Sequence, residues 1–325
     1  MTEESKLRSR FRAERFYEEL ARLLNRYNPR DYGPHIASMI VNLVDKPRKW
    51  RYYPLHFLVH SIEVNCTYHK PYRNYPITSK RINEIMNHYK GYYDPYFQHT
   101  LEDLGDLELW ALAMARQQFP LQAFPRPVEL ARCLRLFVEG SPLPSCADQF
   151  RRRYGFDMRD WVFLAFALCA SSIARRKALI SASDFLDSEI ASIPRSAVQP
   201  FLQMSSLSPG QVADRYRALR QPFPAYLHVF VPSVFMEHPL IDYEDGTYLV
   251  VHPTLVFRQA TDGLYRVCKE LDGDVFHEEF ANSFEKYVGT IAGELSDVVR
   301  VWTESEIQAV SPGRTCDYVV EHSCF

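Results

Sequence analysis

Residues 280–325 read FANSFEKYVGTIAGELSDVVRVWTESEIQAVSPGRTCDYVVEHSCF, and the order of elements in this stretch decides how the chain is read. Phe280, Phe284, Tyr287, Val288 and Ile291 recur at helical spacing and predict an amphipathic helix. A β-rich run over 298–302 follows. The turn Ser311-Pro312-Gly313 then leads into a second strand over 316–320, with Asp317 near its start. The sequence stops five residues after Val320, before a further strand is complete, so the chain is expected to be a fragment of a longer protein.

Length and composition frame that stretch. A chain of 325 residues has room for two domains. Hydrophobic content of 46% with 24% charged residues is that of a soluble globular protein. The net charge of −2 excludes a global polycation, so any contact with nucleic acid has to come from a local patch. Seven cysteines are scattered with no C-x-x-C pair, which fits a reducing, cytoplasmic setting. The charged N-terminus has no apolar core of a secretory signal. The longest apolar run, 161–174, is shorter than the roughly 20 residues of a spanning helix, so no membrane partner is expected.

Towards the N-terminus helices are expected over 5–27, 35–44 and 54–65. On the third, His56 and His60 lie four apart and share a face, with Glu63, Cys66 and His69 following. That is a possible zinc arrangement, but a helix rich in Leu, Phe, Val and Ile more often holds histidines as packed, hydrogen-bonded core residues. Residues 68–97 interleave tyrosines with Lys70, Arg73, Lys80, Arg81 and Lys90. Such a run suits a surface where rings stack on bases and cations meet phosphates. The plainer reading is a proline-punctuated connection around a helix over 81–89 capped by Thr78 or Ser79, with tyrosines half-buried at its edges.

Further helices are expected over 107–117, 127–138, 146–154, 158–175 and 183–192. Arg151-Arg152-Arg153 and Arg175-Arg176-Lys177 stand at helix C-termini, where cations meet the macrodipole favourably. Ser208-Pro209-Gly210-Gln211 has the form of a capping box and starts a helix to Arg220. The Gln221-Pro222-Phe223-Pro224 break is expected to end a helical domain over 1–222. Beyond it, strands over 238–241 and 247–251 flank the turn Glu244-Asp245-Gly246, and a helix over 254–268 carries an interruption at Gly263. No P-loop, dinucleotide fingerprint or nucleophile elbow is present, which argues against those enzyme classes.

Taken together, PLI, DGTYLVVHP, FEKYV, VVRVWTE and DYVVE in that order resemble the PD-(D/E)xK restriction-endonuclease-like superfamily. More narrowly, they are similar to bacterial phage-defence proteins with a long helical region before such a domain. The resemblance covers roughly the last hundred residues. It implies a mainly α N-terminal domain followed by an incomplete α/β nuclease-like domain over 223–325. It further implies a Mg²⁺- or Mn²⁺-dependent nuclease acting on DNA or RNA, with Asp317 as the metal ligand and Glu285 as the assisting helix acid. The metal would be held by hard oxygen donors and would stabilise charge on the scissile phosphate. The family's Glu-x-Lys element should follow on the next strand and is absent from the sequence given. Glu321 cannot replace it, lying about 13 Å beyond Asp317 on the same strand. The alternative is a non-catalytic helical interaction or nucleic-acid-binding protein with a structural α/β piece.

Overall fold

The computed structural model describes residues 15–50, 53–71, 73–103, 120–121, 126–140, 142–186, 193–223, 228, 231–294, 298–310 and 318–322. Helices predominate, with one small mixed sheet and one two-stranded ribbon. In chain order the first helices are α1 (residues 15–24), α2 (Pro29–Leu43), α3 (Pro47–Trp50), α4 (Leu55–Tyr68) and α5 (Ser79–Asp103). Helices α6 (Pro127–Phe137), α7 (Pro144–Tyr154) and α8 (Met158–Arg175) follow, then β1 (Leu179–Ser181), α9 (Ser183–Leu186), α10 (Arg195–Met204), β2 (Ser206–Leu207) and α11 (Pro209–Arg220). The remainder is β3 (Leu240–Asp242), β4 (Thr247–Val250), α12 (Pro253–Phe257), α13 (Asp262–Leu271), α14 (Gly273–Glu294), β5 (Val298–Thr303), α15 (Glu304–Val310) and β6 (Tyr318–His322).

The chain divides into two compact units, each made of two separate stretches. Residues 1–125 with 163–259 form the first, and residues 126–162 with 260–325 the second. The break expected at residue 222 therefore runs through the first unit. The physical reason is the sheet, ordered β1-β4-β3-β2. Its hairpin β3–β4 pairs antiparallel with β1 through Leu179↔Leu249 and Ile180↔Tyr248, and parallel with β2 through Ser206↔Leu240. Strands on both sides of the Pro222 break thus share one set of ladder hydrogen bonds.

In the first unit α4 packs against both α2 and α11. Leu58, Val59, Ile62 and Val64 are buried on it together with Ser61, Glu63 and Asn65, so the helix is enclosed on nearly all sides. Each of these polar residues is bonded. Ser61 Oγ accepts from Tyr32 Oη at 2.9 Å, and Asn65 Nδ2 donates to the carbonyls of Leu24 and Tyr27, both at 2.9 Å. The sheet meets α2 closely: at Gly33 an added Cβ would lie 2.6 Å from Tyr243 Oη. Helix α11 starts on the expected capping box, with Ser208 N–H donating to Gln211 Oε1 (2.8 Å) and Gln211 N–H to Ser208 Oγ (3.4 Å).

In the second unit α14 packs on α6, α7, α13 and β5. The residues it buries are Phe276, Ser283 and Ala292, and Phe284 is half-exposed. Of the apolar face expected over 280–291, Phe280, Tyr287, Val288 and Ile291 are partly buried, and Phe284 departs from it. Rings from α6 and α13 meet this side, with Phe137–Phe280 at 5.4 Å and Tyr265–Phe276 at 4.9 Å. Glu279 on α14 accepts from Ser145 N–H (2.9 Å) and Cys146 N–H (3.1 Å), placing a carboxylate on the positive end of α7. Among the described residues no helix is long and apolar enough to cross a membrane. The helix expected over 107–117 lies outside the described residues.

Candidate functional site

The expected helix–strand–strand order is present as α14, β5 and β6. The two strands pair antiparallel, with Arg300↔Glu321, Val301↔Val320, Trp302↔Val319 and Thr303↔Tyr318. A bulge between Val298 and Arg300 shifts the register near the far end. The turn expected over 311–313 is preceded by a helix the reading above did not contain. This helix, α15, begins T-E-S-E from Thr303, and Glu306 reaches back to Thr303 N–H at 2.9 Å. Glu306 also accepts from Thr303 Oγ1 (3.1 Å) and Arg300 Nη2 (2.9 Å), and these bonds hold its carboxyl below the usual range. The Arg300 guanidinium in turn lies 3.6 Å from the centre of the Trp302 ring.

Glu285 sits exposed on α14, nine residues and so two and a half turns beyond the buried Phe276, on the opposite side of the helix. Asp317, the expected metal ligand, lies outside the described residues; the residue after it, Tyr318, is the one opposite Thr303. Glu321 is exposed and stands across from Arg300. Among the described residues no group of three or more His, Cys, Asp or Glu is gathered to hold a metal ion.

The basic residues of 68–97 do not form a single stripe. Helix α5 buries Ile82, Ile85, Met86 and Tyr89. At 100° per residue, Arg81 and Lys90 then fall on opposite flanks of that helix and Lys80 points away from its buried side. Arg81 pairs with Glu84 at 2.5 Å. Arg73 donates to Asn25 Oδ1 at 3.1 Å, and the backbone N–H groups of Lys70 and Tyr75 bond the carbonyls of Asn25 and Arg26. Arg73 thus ties the connection to the end of α1, while Lys70 is exposed there.

The histidine cluster on α4 has become a buried polar network. His60 Nδ1 bonds Tyr89 Oη at 2.8 Å and its Nε2 bonds Tyr216 Oη at 3.1 Å, so both ring nitrogens are taken by phenols. Burial holds its pKa well below the ordinary value, with Arg220 adding to the effect. Glu63 accepts from Ser233 Oγ (2.7 Å), Val234 N–H (2.7 Å) and Arg220 Nη2 (3.4 Å). Burial pushes the Glu63 carboxyl up against the pull of these three donors. The Arg220 guanidinium also stacks 3.8 Å from the centre of the Tyr216 ring. These bonds are internal props between α4, α5, α11 and the turn at 233–234, and they engage both ring nitrogens of His60 and the carboxylate of Glu63. Spacing along α4 could not show this, because Tyr216 and Arg220 come from a helix 150 residues away in sequence.

An open groove of about 780 Å³ lies along α2 in the first unit, lined by Asp31, His35, Ser38 and Asn42 from that helix and by Lys49, Tyr53 and Ile77 across from it. Nothing in the sequence reading singled it out. No family model matches the chain, and neither a curated protein nor a solved structure matches it.

Proposed function

We propose that the chain carries part of a metal-dependent phosphodiester-cleaving site of the restriction-endonuclease-like kind, acting on nucleic acid. The observation that supports this reading is the antiparallel β5–β6 register after the long helix α14, which is the order that the resemblance calls for. In it Asp317 would hold Mg²⁺ or Mn²⁺ and Glu285 would assist. The described acids of the ribbon do not make such a site by themselves. Glu306 is engaged by Thr303 and Arg300, and Glu321 faces Arg300. The donor chemistry of Asp317 and Glu285 nevertheless suits a hard cation, since both offer carboxylate oxygens. The metal would supply charge stabilisation at the scissile phosphate and a more acidic bound water. Among the described residues β6 pairs with β5.

The experiment is titration of the chain with Mn²⁺, followed by the electron spin resonance of the free ion. One weak site that disappears in Asp317→Ala, with folding unchanged, supports the reading. Uptake that Asp317→Ala leaves intact contradicts it. A second reading, a non-catalytic helical binding protein, is favoured by the open groove on α2, which has the size and the mixed apolar and polar lining of a docking surface.

A further inference from the structure

The groove on α2 combines three features that point to one class of occupant. The first is its polar wall. Asp31, His35, Ser38 and Asn42 recur at three and four residues, so they share one face of α2, while Tyr32, Ile36, Ala37 and Ile40 are buried on the other. From Asp31 to Asn42 that wall runs about 16 Å.

The second feature is unbalanced positive charge around Lys49, the lining cation past the C-terminal end of α2, with Lys46 and Arg48 beside it in sequence. Arg30 is already engaged, bonding Asp245 at 2.7 Å and the Tyr243 carbonyl. The acid nearest the basic run, Asp45, is taken by Arg176 at 2.6 Å. That leaves Lys46, Arg48 and Lys49, all exposed, with no ion pair among the described residues. The C-terminus of α2 accounts for about half a charge, so it does not balance three cations. Asp31, the acid in the lining, stands at the opposite end of the wall.

The third feature is an aromatic ring held in place. Tyr53 lines the groove, and its hydroxyl donates to Asn83 Oδ1 on α5 at 2.9 Å. A ring tethered at its polar tip offers its body to a flat partner at little cost in side-chain freedom. Cations beside a fixed ring, in a protein of net charge −2, are the local elements of a single-strand reader, with phosphates on the cations and a base on the ring.

We propose that this groove binds single-stranded nucleic acid, with Lys46, Arg48 and Lys49 meeting phosphates and Tyr53 stacking on a base. As a statement about substrate it rests on the nuclease reading. As a statement about binding it is tested without metal, so failure of one is distinguishable from failure of the other. An acidic peptide would use the same cations but would gain nothing specific from Tyr53.

The test is fluorescence anisotropy of a labelled oligo-dT and a labelled oligo-U, in EDTA, across a salt series. Three phosphate contacts on a single strand predict a log–log salt slope near −2, or roughly 20-fold weaker binding at 200 mM than at 50 mM salt. The triple variant K46A/R48A/K49A should flatten that slope towards zero. Tyr53→Ala should weaken binding by about tenfold and leave the slope unchanged. Asn83→Ala, which removes the tether and keeps the ring, should fall between Tyr53→Ala and the parent chain. The proposal is overturned if neither oligonucleotide binds, or if the triple variant binds like the parent. It is equally overturned if duplex DNA binds more tightly than the single strand, or if a poly-glutamate peptide competes as well as the oligonucleotide.

Discussion

Arg220 and Glu63, 157 residues apart, form an ion pair sealed inside the first unit, with 3.4 Å between Nη2 and Oε2 and side-chain exposures of 3% and 0%. The pair is only partly satisfied, because Arg220 Nε and Nη1 are buried without a hydrogen-bond partner among the described residues. Glu63 has Ser233 and Val234 as further donors, and Arg220 has the Tyr216 ring beneath it. Removing one partner leaves a buried charge uncompensated. Arg220→Met should therefore cost about 3–5 kcal/mol in urea unfolding. Adding Glu63→Gln to that variant should recover part of the loss, because the amide needs no cation and still accepts from Val234 N–H. A double variant no more stable than Arg220→Met would show that the pair is not coupled.

Two buried imidazoles give the first unit a defined acid sensitivity. His252 is fully buried and burial pushes its pKa down to about 3; His60 is driven down by burial and by Arg220. The folded state thus holds both rings neutral, while the unfolded chain protonates them near pH 6.5. Above that value neither ring affects stability. Below it the unfolded chain binds protons that the folded one refuses, so stability falls as pH drops from 6.5 towards 3, by up to roughly 1.4 kcal/mol per pH unit for each ring. His252→Asn keeps a side-chain acceptor for Thr254 N–H, which His252 Nδ1 now bonds at 3.2 Å. It should lower that acid slope in chemical denaturation between pH 4 and 6 without abolishing it, because burial also pushes His56 down to about 3.

Gly33 marks where α2 and the sheet touch. An added Cβ would stand 2.6 Å from Tyr243 Oη and 2.8 Å from Leu249 Cδ2. Neither neighbour is free to move, since Tyr243 Oη donates to the Pro29 carbonyl at 2.9 Å and Leu249 is fully buried. Gly33→Ala should destabilise by roughly 1–3 kcal/mol, although alanine is the better helix former. A thermal melt that rises instead would mean that the helix and the sheet are further apart than described.

The caps of the short helices make a matched pair. Ser208→Ala should lower stability by about 1 kcal/mol through loss of the α11 capping box. Glu306→Ala removes the acceptor for Thr303 N–H and Arg300 together. It should loosen α15 and the end of β5, seen as faster amide hydrogen exchange at Thr303 with little change elsewhere.

Local signals carried much of this fold. Ser208 and Gln211 announced α11 because a capping box is written in four consecutive residues, and the apolar run 161–174 of α8 was flanked by Asp160 and the basic residues after it. The Glu244-Asp245-Gly246 turn gave the β3–β4 hairpin for the same reason, with Gly246 at φ 83° and Asp245 binding Thr247 N–H. The T-E-S-E start of α15 was equally local, but it was overlooked between two expected strands. What the sequence could not display is non-local pairing. Strands of two or three residues, such as Ser206–Leu207 and Leu179–Ser181, show no period of their own, and their partners lie 30 to 70 positions away. That is why the break at 222 was placed inside a single sheet. On α14 the exposure of Phe284 was not legible, since Tyr265 and Phe137 pack on the side of Phe276 and Phe280. Of the candidate site, the helix and strand order was legible. The commitment of His60 and Glu63 to internal bonds was not, and neither was the groove along α2.

The central claim, metal-dependent cleavage of nucleic acid through Asp317, is tested most directly with an end-labelled single-stranded oligonucleotide. The account predicts cleavage in Mg²⁺ or Mn²⁺ that EDTA stops and that Asp317→Ala abolishes while the thermal melt stays unchanged. Absence of cleavage by the folded protein in either metal, or cleavage that survives Asp317→Ala, would contradict it.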